Sequence, residues 1–176
     1  RPSVIVSGIN NGANVGMSIY YSGTVAAARE GAALHIPSIA VSIEKGAHVP
    51  CDYACALSAE FVRAFIKKEI AGYPFLNVNI PARNEEDIGN IIVTKQAASY
   101  FNEQYILKKS DDVKQREEYY LLGDLMVYDV KGMNDVNALK NGHVSVTPLR
   151  IDLTDQAQLS AVNKYVVHNQ CLDRKG

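Results

Sequence analysis

The sequence predicts an α/β fold in which a mostly parallel β-sheet carries a β-rich, hairpin-like extension. Over residues 3–81, three short apolar runs alternate with two helical segments, the pattern of strand–helix–strand units. In the second half of the chain, the apolar segments become shorter and richer in β-branched and aromatic residues, which predicts an excursion from the main sheet. The chain has 176 residues, of which 47% are hydrophobic, so we expect a single domain, residues 1–176, with its own core.

The first strand, the first helix and the second strand are predicted to form one such unit. The run at residues 3–6 is short, continuous and apolar, as expected of a parallel strand that is covered on both faces. Residues 25–34 are rich in alanine and predict a helix, with Ser22 or Thr24 as its N-cap. Residues 37–43 predict the second strand, so the unit is expected to be a right-handed parallel crossover.

A longer helix is predicted at residues 52–71, because apolar residues recur there at three- to five-residue steps along one face. We expect Gly72, followed by Tyr73 and Pro74, to end this helix. Residues 75–81 predict the third strand. The apolar face of the helix consists of Ala54, Leu57, Phe61, Phe65 and Ile70.

We expect the β-rich extension to occupy residues 88–130, with polar stretches between its strands. Residues 143–149 then predict a return to a strand, and residues 155–168 predict a C-terminal helix. The strands expected near the extension span residues 91–94, 100–107 and 118–122.

Charge and hydropathy exclude several classes of partner. The chain has 18 basic and 19 acidic residues, and its net charge of −1 is too small to attract a nucleic-acid duplex or an anionic membrane. No apolar run approaches the roughly 20 residues needed to cross a bilayer, and the N-terminus does not resemble a signal peptide. We therefore expect a soluble, cytoplasmic protein. Because the chain begins with Arg1 rather than Met, we also expect further residues to precede it.

Three cysteines predict reduced thiols rather than a disulfide framework, since their number is odd. They are Cys51, Cys55 and Cys171. A zinc corner formed by His48, Cys51 and Cys55 is the alternative, but the spacing matches no common zinc motif and a fourth ligand is missing.

The stretch SGINNGANVG, residues 7–16, is expected to be a loop at the carboxyl end of the first strand, where open parallel sheets bind ligands. Its glycines allow the backbone to approach a ligand, and its asparagines offer uncharged amide groups. Ser22, Gly23 and Thr24 lie at a helix start, where free N–H groups attract phosphate. Each feature alone fits a turn or a helix cap. Together, at one strand end, they predict a site for a polar anion, either free or bound to a metal.

Four segments of the chain, in order between Pro2 and about Thr154, resemble successive motifs of one family. They are VSGINNGANVG, YYSGTVAAAREGAALHIPSIAVS, LNVNIP and NGHVSVTPLRIDLT. The family is SurE, the survival-protein phosphatases that act as 5′- and 3′-nucleotidases. The resemblance implies a three-layer, Rossmann-like, SurE-like fold whose N-terminal strands are missing from this chain. It also implies a metal-dependent phosphomonoesterase that hydrolyses nucleoside 5′- and 3′-monophosphates to nucleoside and phosphate.

The resemblance further implies which residues bind metal and phosphate. One divalent cation, Mg²⁺ or Mn²⁺, is expected on Asn10, together with two aspartates of an Asp-Asp-Gly motif and a serine. The phosphate pocket is expected to be lined by Asn14, Ser22, Gly23 and Thr24. Oxygen ligands of this kind suit a hard cation, so the chemistry agrees with the resemblance.

This chain departs from the family pattern in its carboxylates. It contains no Asp-Asp-Gly, and its adjacent aspartates, Asp111 and Asp112, lie in a polar mid-chain stretch. No catalytic residue is therefore assigned, and we expect residues 1–176 alone to show negligible phosphatase activity. In the segment NIIVTKQAASYF, Lys95 and Ala97 also replace the arginine and glycine usual in the family.

The resemblance implies a homodimer or homotetramer that uses the extension and the C-terminal segment. The apolar residues Leu121, Leu122, Leu125 and Met126 fit either such an interface or core packing. The alternative function is that of a catalytically silent, truncated homologue that binds phosphate or nucleotide, or that assists oligomerisation. An Asp-Asp-Gly on a strand preceding Arg1 would favour the enzyme.

Overall fold

The computed structural model describes residues 1–46, 48–111, 116–129 and 131–169. Asp112 and Cys171, named above, lie outside the described residues. Two 3-10 helices cover Gly16–Tyr21 and Glu85–Asp87. The strands are β1 (Ile5–Asn11), β2 (Ser38–Ile43), β3 (Phe75–Ile80), β4 (Ile91–Val93), β5 (Ser99–Asp111), β6 (Arg116–Val127) and β7 (Val144–Pro148). The α-helices are α1 (Gly23–Ala33), α2 (Cys51–Ile66), α3 (Asp135–Lys140) and α4 (Gln156–Asn169).

The strands form a mixed, mostly parallel sheet and a separate hairpin, which confirms the predicted α/β fold. The five-stranded sheet has the order β1-β2-β3-β7-β4. Strands β1, β2 and β3 are parallel to one another, β7 is antiparallel to β3, and β4 is parallel to β7. Strands β5 and β6 pair with each other as an antiparallel two-stranded sheet.

One face of the five-stranded sheet is apolar and packs against α2. Ala54 and Phe65 of α2 are buried on it. Alternate residues of the strands supply this face because successive side chains of a strand point to opposite sides. The strand residues in this core are Ile39, Val41, Ile43, Leu76, Val78, Ile80, Val144 and Val146.

The opposite face of the sheet faces α1 and is polar along much of its width. Val25, Ala28 and Ala32 of α1 pack against Ala40 and Phe75. Beside this small apolar cluster lies a group of buried polar side chains on the central strands. They are Ser42, Asn77, Asn79, Ser145 and Thr147.

Strand β1 differs from its prediction in length and in burial. It continues through Asn11, so the prediction of a loop beginning at Ser7 is wrong. A bulge between Ser7 and Asn10, with Gly8 at a φ of +131°, lets the chain keep pairing with β2. Strand β1 is also an edge of the sheet, and Val6 is 49% exposed, so the expected coverage on both faces is wrong.

Helix α1 begins at Gly23, two residues before the predicted start, and α2 ends earlier than predicted. Ser22 is the N-cap of α1, and its Oγ accepts a hydrogen bond from the N–H of Val25 at 3.1 Å. Helix α2 ends at Ile66 rather than near Gly72, because the chain turns at Lys68, whose φ is +59°.

The hairpin strands are longer than predicted, at 13 and 12 residues. Strand β4 pairs with β7 and therefore belongs to the main sheet rather than to the hairpin. The short helix α3 has no counterpart in the prediction. No described helix combines the length and hydropathy that crossing a bilayer would require.

The close approach of β1 to β2 gives a stability prediction. A Cβ on Gly8 would collide with the carbonyl oxygen of Val41, and its φ lies in a region that side chains rarely adopt. We expect Gly8→Ala to lower the free energy of unfolding by at least about 2 kcal/mol, measured by urea denaturation. Gly23→Ala is the control, since nothing lies within 4 Å of that position. It should leave stability unchanged or raise it by up to about 1 kcal/mol. Equal effects of the two changes would contradict the close approach.

Candidate functional site

Residues 12–22, here called the connecting segment, run from the end of β1 to the start of α1. Asn14 holds this segment against the sheet. Its backbone N–H donates to Asn79 Oδ1 at 2.7 Å, and its backbone oxygen accepts from Asn77 Nδ2 at 2.8 Å and from Asn79 Nδ2 at 3.1 Å. The side-chain Nδ2 of Asn14 donates to Ser42 Oγ at 2.7 Å. The polar face of β2 and β3 is therefore buried because it binds the connecting segment.

The geometry of Asn14 limits its predicted role in phosphate binding. Its side chain is buried, and one of its two amide N–H groups is used by Ser42. The second N–H of the amide has no acceptor among the described residues. The contacts of Asn14 thus give it a structural role in holding the connecting segment. This role is compatible with a direct contact between its amide and phosphate.

Asn10 lies at the carboxyl end of β1 with a fixed side-chain orientation. Its Nδ2 donates to the backbone oxygen of Gly12 at 2.7 Å, and the side chain is half-buried. The described residues provide no hydrogen-bond donor to its Oδ1. The amide thus presents a neutral oxygen, the atom that a hard cation binds.

The N-terminus of α1 provides backbone donors. Ser22 Oγ accepts from the N–H of Val25, which leaves its hydroxyl proton available. The backbone N–H groups of Gly23 and Thr24 belong to the first turn of the helix, which has no intrahelical acceptors for them. Gly23 is exposed, and the aligned helix dipole adds partial positive charge there.

The sheet topology brings Asn10, Asn14 and the N-terminus of α1 to the same edge of the sheet, at the carboxyl end of β1. Asn10 pairs with Ser42 in register, and the amide of Asn14 contacts the same serine. Helix α1 follows the carboxyl end of β1, so its N-terminus faces that edge as well.

The described residues do not by themselves make a complete site for a divalent cation. Mg²⁺ takes six oxygen ligands and usually needs carboxylates among them. Within residues 1–46, 48–111, 116–129 and 131–169, no three side chains of His, Cys, Asp or Glu are grouped to hold a metal. Asn10 supplies one neutral oxygen. In the same part of the chain the alternative zinc corner is not formed, and Cys51 and Cys55 are free, exposed thiols.

Asp135 is a residue of this region that the sequence analysis missed. It is fully buried at the first turn of α3, and its carboxylate accepts three backbone hydrogen bonds of 2.9 Å, from Gly16, Ala97 and Val136. Burial raises the pKa of the Asp135 carboxyl, and the three N–H donors offset part of this rise. The adjacent Asn134, which caps α3, is the local sequence signal that marks the helix start.

Comparison with known proteins identifies similar chains over most of this length. The family described as survival protein SurE matches residues 1–103. The 5′-nucleotidase SurE of Symbiobacterium thermophilum is 35% identical over 165 residues, 94% of this chain and 64% of the relative. That of Geobacter sulfurreducens is 37% identical over 167 residues, 93% of this chain and 62% of the relative. That of Pelobacter propionicus is 38% identical over 170 residues, 94% of this chain and 67% of the relative.

A solved structure gives the same result. The crystal structure of the SurE protein from Aquifex aeolicus superimposes with a TM-score of 0.75 and 33% sequence identity. The superposition covers 93% of this chain and 65% of that chain. The chain thus spans somewhat under two thirds of the length of the first relatives and of this structure.

Two neighbouring aspartates should show opposite pH dependence of stability. The folded Asp135 keeps its proton to higher pH than the unfolded chain does, so its contribution favours folding at low pH and is lost as pH rises through the folded pKa. Partial burial raises the pKa of Asp129. The hydrogen bonds from Lys95 and from the N–H of Ala98 lower this pKa by more than burial raises it, so the net shift is downward. Its contribution is present above the unfolded pKa and is lost as pH falls through the folded value.

The measurement is urea denaturation between about pH 3 and pH 7, on either side of the ordinary carboxyl pKa. The stability of the wild type relative to Asp135→Asn should fall as pH rises. The stability of the wild type relative to Asp129→Asn should rise over the same range. Slopes of the same sign would contradict the environment described for Asp135.

Proposed function

The chain belongs to the SurE family, and from this we propose that the complete protein is a metal-dependent phosphomonoesterase that hydrolyses nucleoside 5′- and 3′-monophosphates. The proposal is supported by the relatives, which are 5′-nucleotidases, at 34–38% identity. The observation that carries it is the position of Asn10 and of the α1 N-terminus at one edge of the sheet. In this proposal, Asn10 at the end of β1 is the cation ligand, and the N-terminus of α1, the next α-helix in the chain, supplies the phosphate donors.

In this proposal, the α1 N-terminus binds the phosphate group of the substrate. The N–H groups of Gly23 and Thr24 donate to phosphate oxygens, and the hydroxyl of Ser22 adds a third donor. The free N–H of the Asn14 amide is a fourth. All four donors are neutral, so they orient a dianion while the dipole of α1 contributes partial positive charge.

Asn10 Oδ1 is the proposed ligand of a divalent cation, Mg²⁺ or Mn²⁺. When bound, such a cation supplies positive charge that polarises a phosphoryl oxygen. The described residues contain no cluster of three metal-binding side chains, so in this proposal the remaining ligands lie outside them. Residues 1–176 alone are therefore expected to be inactive.

The hydrolysis itself is a transfer of the phosphoryl group to water. The oxygen of water forms a bond to phosphorus, the bond between phosphorus and the ester oxygen breaks, and the nucleoside leaves with a proton from that water. Fixed donors on the phosphate oxygens hold the phosphorus in place and stabilise the developing charge. No side chain of this chain is assigned the proton transfer.

We further propose that the protein is a cytoplasmic homodimer or homotetramer. Its free thiols, Cys51 and Cys55, are compatible with a reducing compartment. Among the described residues, β5 and β6 pair only with each other, and two-stranded sheets are marginal on their own. Both faces of the hairpin carry exposed apolar side chains. They include Tyr105, Ile106, Leu107, Tyr119, Leu121 and Leu122.

Leu125 and Met126 differ in their packing. Leu125 packs against the cluster of Val15, Ala97 and Val136, whereas Met126 is 43% exposed. Of the four residues predicted to serve either an interface or the core, Leu125 therefore belongs to the core, and the other three are available to a partner. The apolar residues of α4 are likewise exposed, among them Leu159 and Val162.

A catalytically silent homologue that binds phosphate is the second candidate. The observation that favours it is the lack of a carboxylate cluster among the described residues. It shares the phosphate site with the first candidate, so the two are separated by turnover of a nucleoside monophosphate by the complete protein.

The predicted cation ligand is tested by substitution in the complete protein. We expect Asn10→Ala to raise the Mn²⁺ or Mg²⁺ concentration for half-maximal activity by at least about tenfold, because an oxygen ligand is lost. Asn10→Asp restores an oxygen and should require less metal than Asn10→Ala. Asn11→Ala, at the next and exposed position of β1, is the matched control. Normal metal dependence of Asn10→Ala would rule out this ligand.

The same activity assay distinguishes the proposed phosphate-binding role of Asn14 from the proposed metal-binding role of Asn10. Asn14→Ala should raise KM for a nucleoside 5′-monophosphate while the metal requirement stays at the wild-type value. Unchanged activity in both the Asn10 and the Asn14 variants would rule out the proposed site.

The proposed assembly is tested by charge substitution on the hairpin. We expect Leu121→Glu combined with Leu122→Glu to lower the molar mass in solution by whole subunits, measured by light scattering after size exclusion. Asn102→Glu, at an exposed polar position of β5, should leave the mass unchanged. An assembly that survives the double substitution would show that the hairpin is not the interface.

A further inference from the structure

Gly16 in the connecting segment is held by Asp135 of α3 and by Gln96, which lies just before the hairpin. Residues 95–99 are here called the hairpin base. The N–H of Gly16 donates to Asp135 Oδ2 at 2.9 Å, and its oxygen accepts from Gln96 Nε2 at 2.9 Å. The next N–H, that of Met17, donates to Ser99 Oγ at 2.7 Å.

Asp135 binds the hairpin base as well as the connecting segment. Its Oδ1 accepts from the N–H of Ala97 at 2.9 Å, while its Oδ2 accepts from the N–H of Gly16. The side chain is fully buried, so water does not compete for these bonds. One carboxylate therefore fixes the distance between two segments that are about 80 residues apart in the chain.

The approach of the two segments leaves no room for a side chain at position 16. Gly16 has a φ of +52°, and a Cβ there would collide with Ser99 Oγ. An apolar cluster of Val15, Ala97 and Val136 backs the hydrogen bonds. The contact is thus close-packed and has little freedom to slide.

We propose that Asp135 is a positioning residue that places the phosphate-binding groups by tying the connecting segment to the hairpin base. Asn14 lies two residues before Gly16, and the α1 N-terminus lies six residues after it, with a 3-10 helix between them. A displacement of Gly16 therefore shifts both sides of the candidate phosphate site. Any force on the hairpin, including assembly through it, reaches the site by this route.

The proposal rests on the phosphate site of the proposed function, but one of its readouts does not. In the complete protein, we compare Asp135→Asn and Ser99→Ala with the wild type. Asp129→Asn is the matched control, because Asp129 binds the N–H of Ala98 and Lys95 at the hairpin base and has no described contact with the connecting segment. The first readout is hydrogen–deuterium exchange of peptides covering residues 12–22. The second is the affinity for inorganic phosphate, together with KM and kcat.

Asp135→Asn should speed exchange across residues 12–22 and weaken phosphate binding by about tenfold, with KM affected more than kcat. Ser99→Ala should act in the same direction, and the effects of the two should be non-additive because they hold adjacent peptide groups. Asp129→Asn should change neither readout. If Asp135→Asn does not fold, the exchange and phosphate affinity of Ser99→Ala decide whether the contact positions the site.

A loss of thermal stability without faster exchange at residues 12–22 would show a merely structural role and overturn the proposal. So would equal effects of Asp129→Asn and Asp135→Asn. If the wild type binds no phosphate, the proposed function fails. The exchange comparison then still decides whether Asp135 holds the connecting segment.

Discussion

The hydrogen bonds of Asn14 are the interaction on which the candidate site depends. They join the backbone of the connecting segment to Asn77 and Asn79 of β3, and its side chain to Ser42 of β2. Each of these polar groups is buried, and leaving one unpaired would cost about 1–3 kcal/mol. The connecting segment and the two strands therefore pair most of these groups with one another, and Asn77 Oδ1 is the buried side-chain atom left without a partner among the described residues. The arrangement fixes the path from β1 to α1 and with it the direction in which α1 presents its N-terminus.

This constraint explains the contrast between the two faces of the sheet. The α2 face needs only apolar side chains, because a helix with satisfied backbone groups covers it. The opposite face is covered in part by irregular backbone, whose N–H and carbonyl groups need partners. Amide and hydroxyl side chains on β2, β3 and β7 lie in this region. The position of irregular backbone at the carboxyl ends of parallel strands is also what makes a ligand site possible there.

The sequence predicted what is encoded locally. Helix α1 follows from its alanine content, and the central strands follow from short apolar runs. The sequence left the cap of α1 open between Ser22 and Thr24, and the structure has Ser22 there. The length of β1 was not predictable in this way. Its pairing with β2 beyond Gly8 depends on a bulge and on a partner some 30 residues away. The same holds for Asp135. Two of its three donors, the N–H groups of Gly16 and Ala97, are distant in the sequence, so its burial depends on tertiary contacts.

The residues of the candidate site stay a prediction, and the structure adds how each of them is held. Glycine and asparagine composition, with the family resemblance, pointed to Asn10, Asn14 and Ser22–Thr24. Asn10 keeps its Oδ1 without a donor among the described residues, whereas the Asn14 amide is buried and bonded to Ser42, and this difference depends on tertiary contacts. The most direct measurement is a crystal structure of the complete protein with Mn²⁺ and inorganic phosphate. The account predicts phosphate on the N–H groups of Gly23 and Thr24 and the cation on Asn10 Oδ1. Phosphate bound away from the α1 N-terminus, or a cation without Asn10 among its ligands, would contradict it.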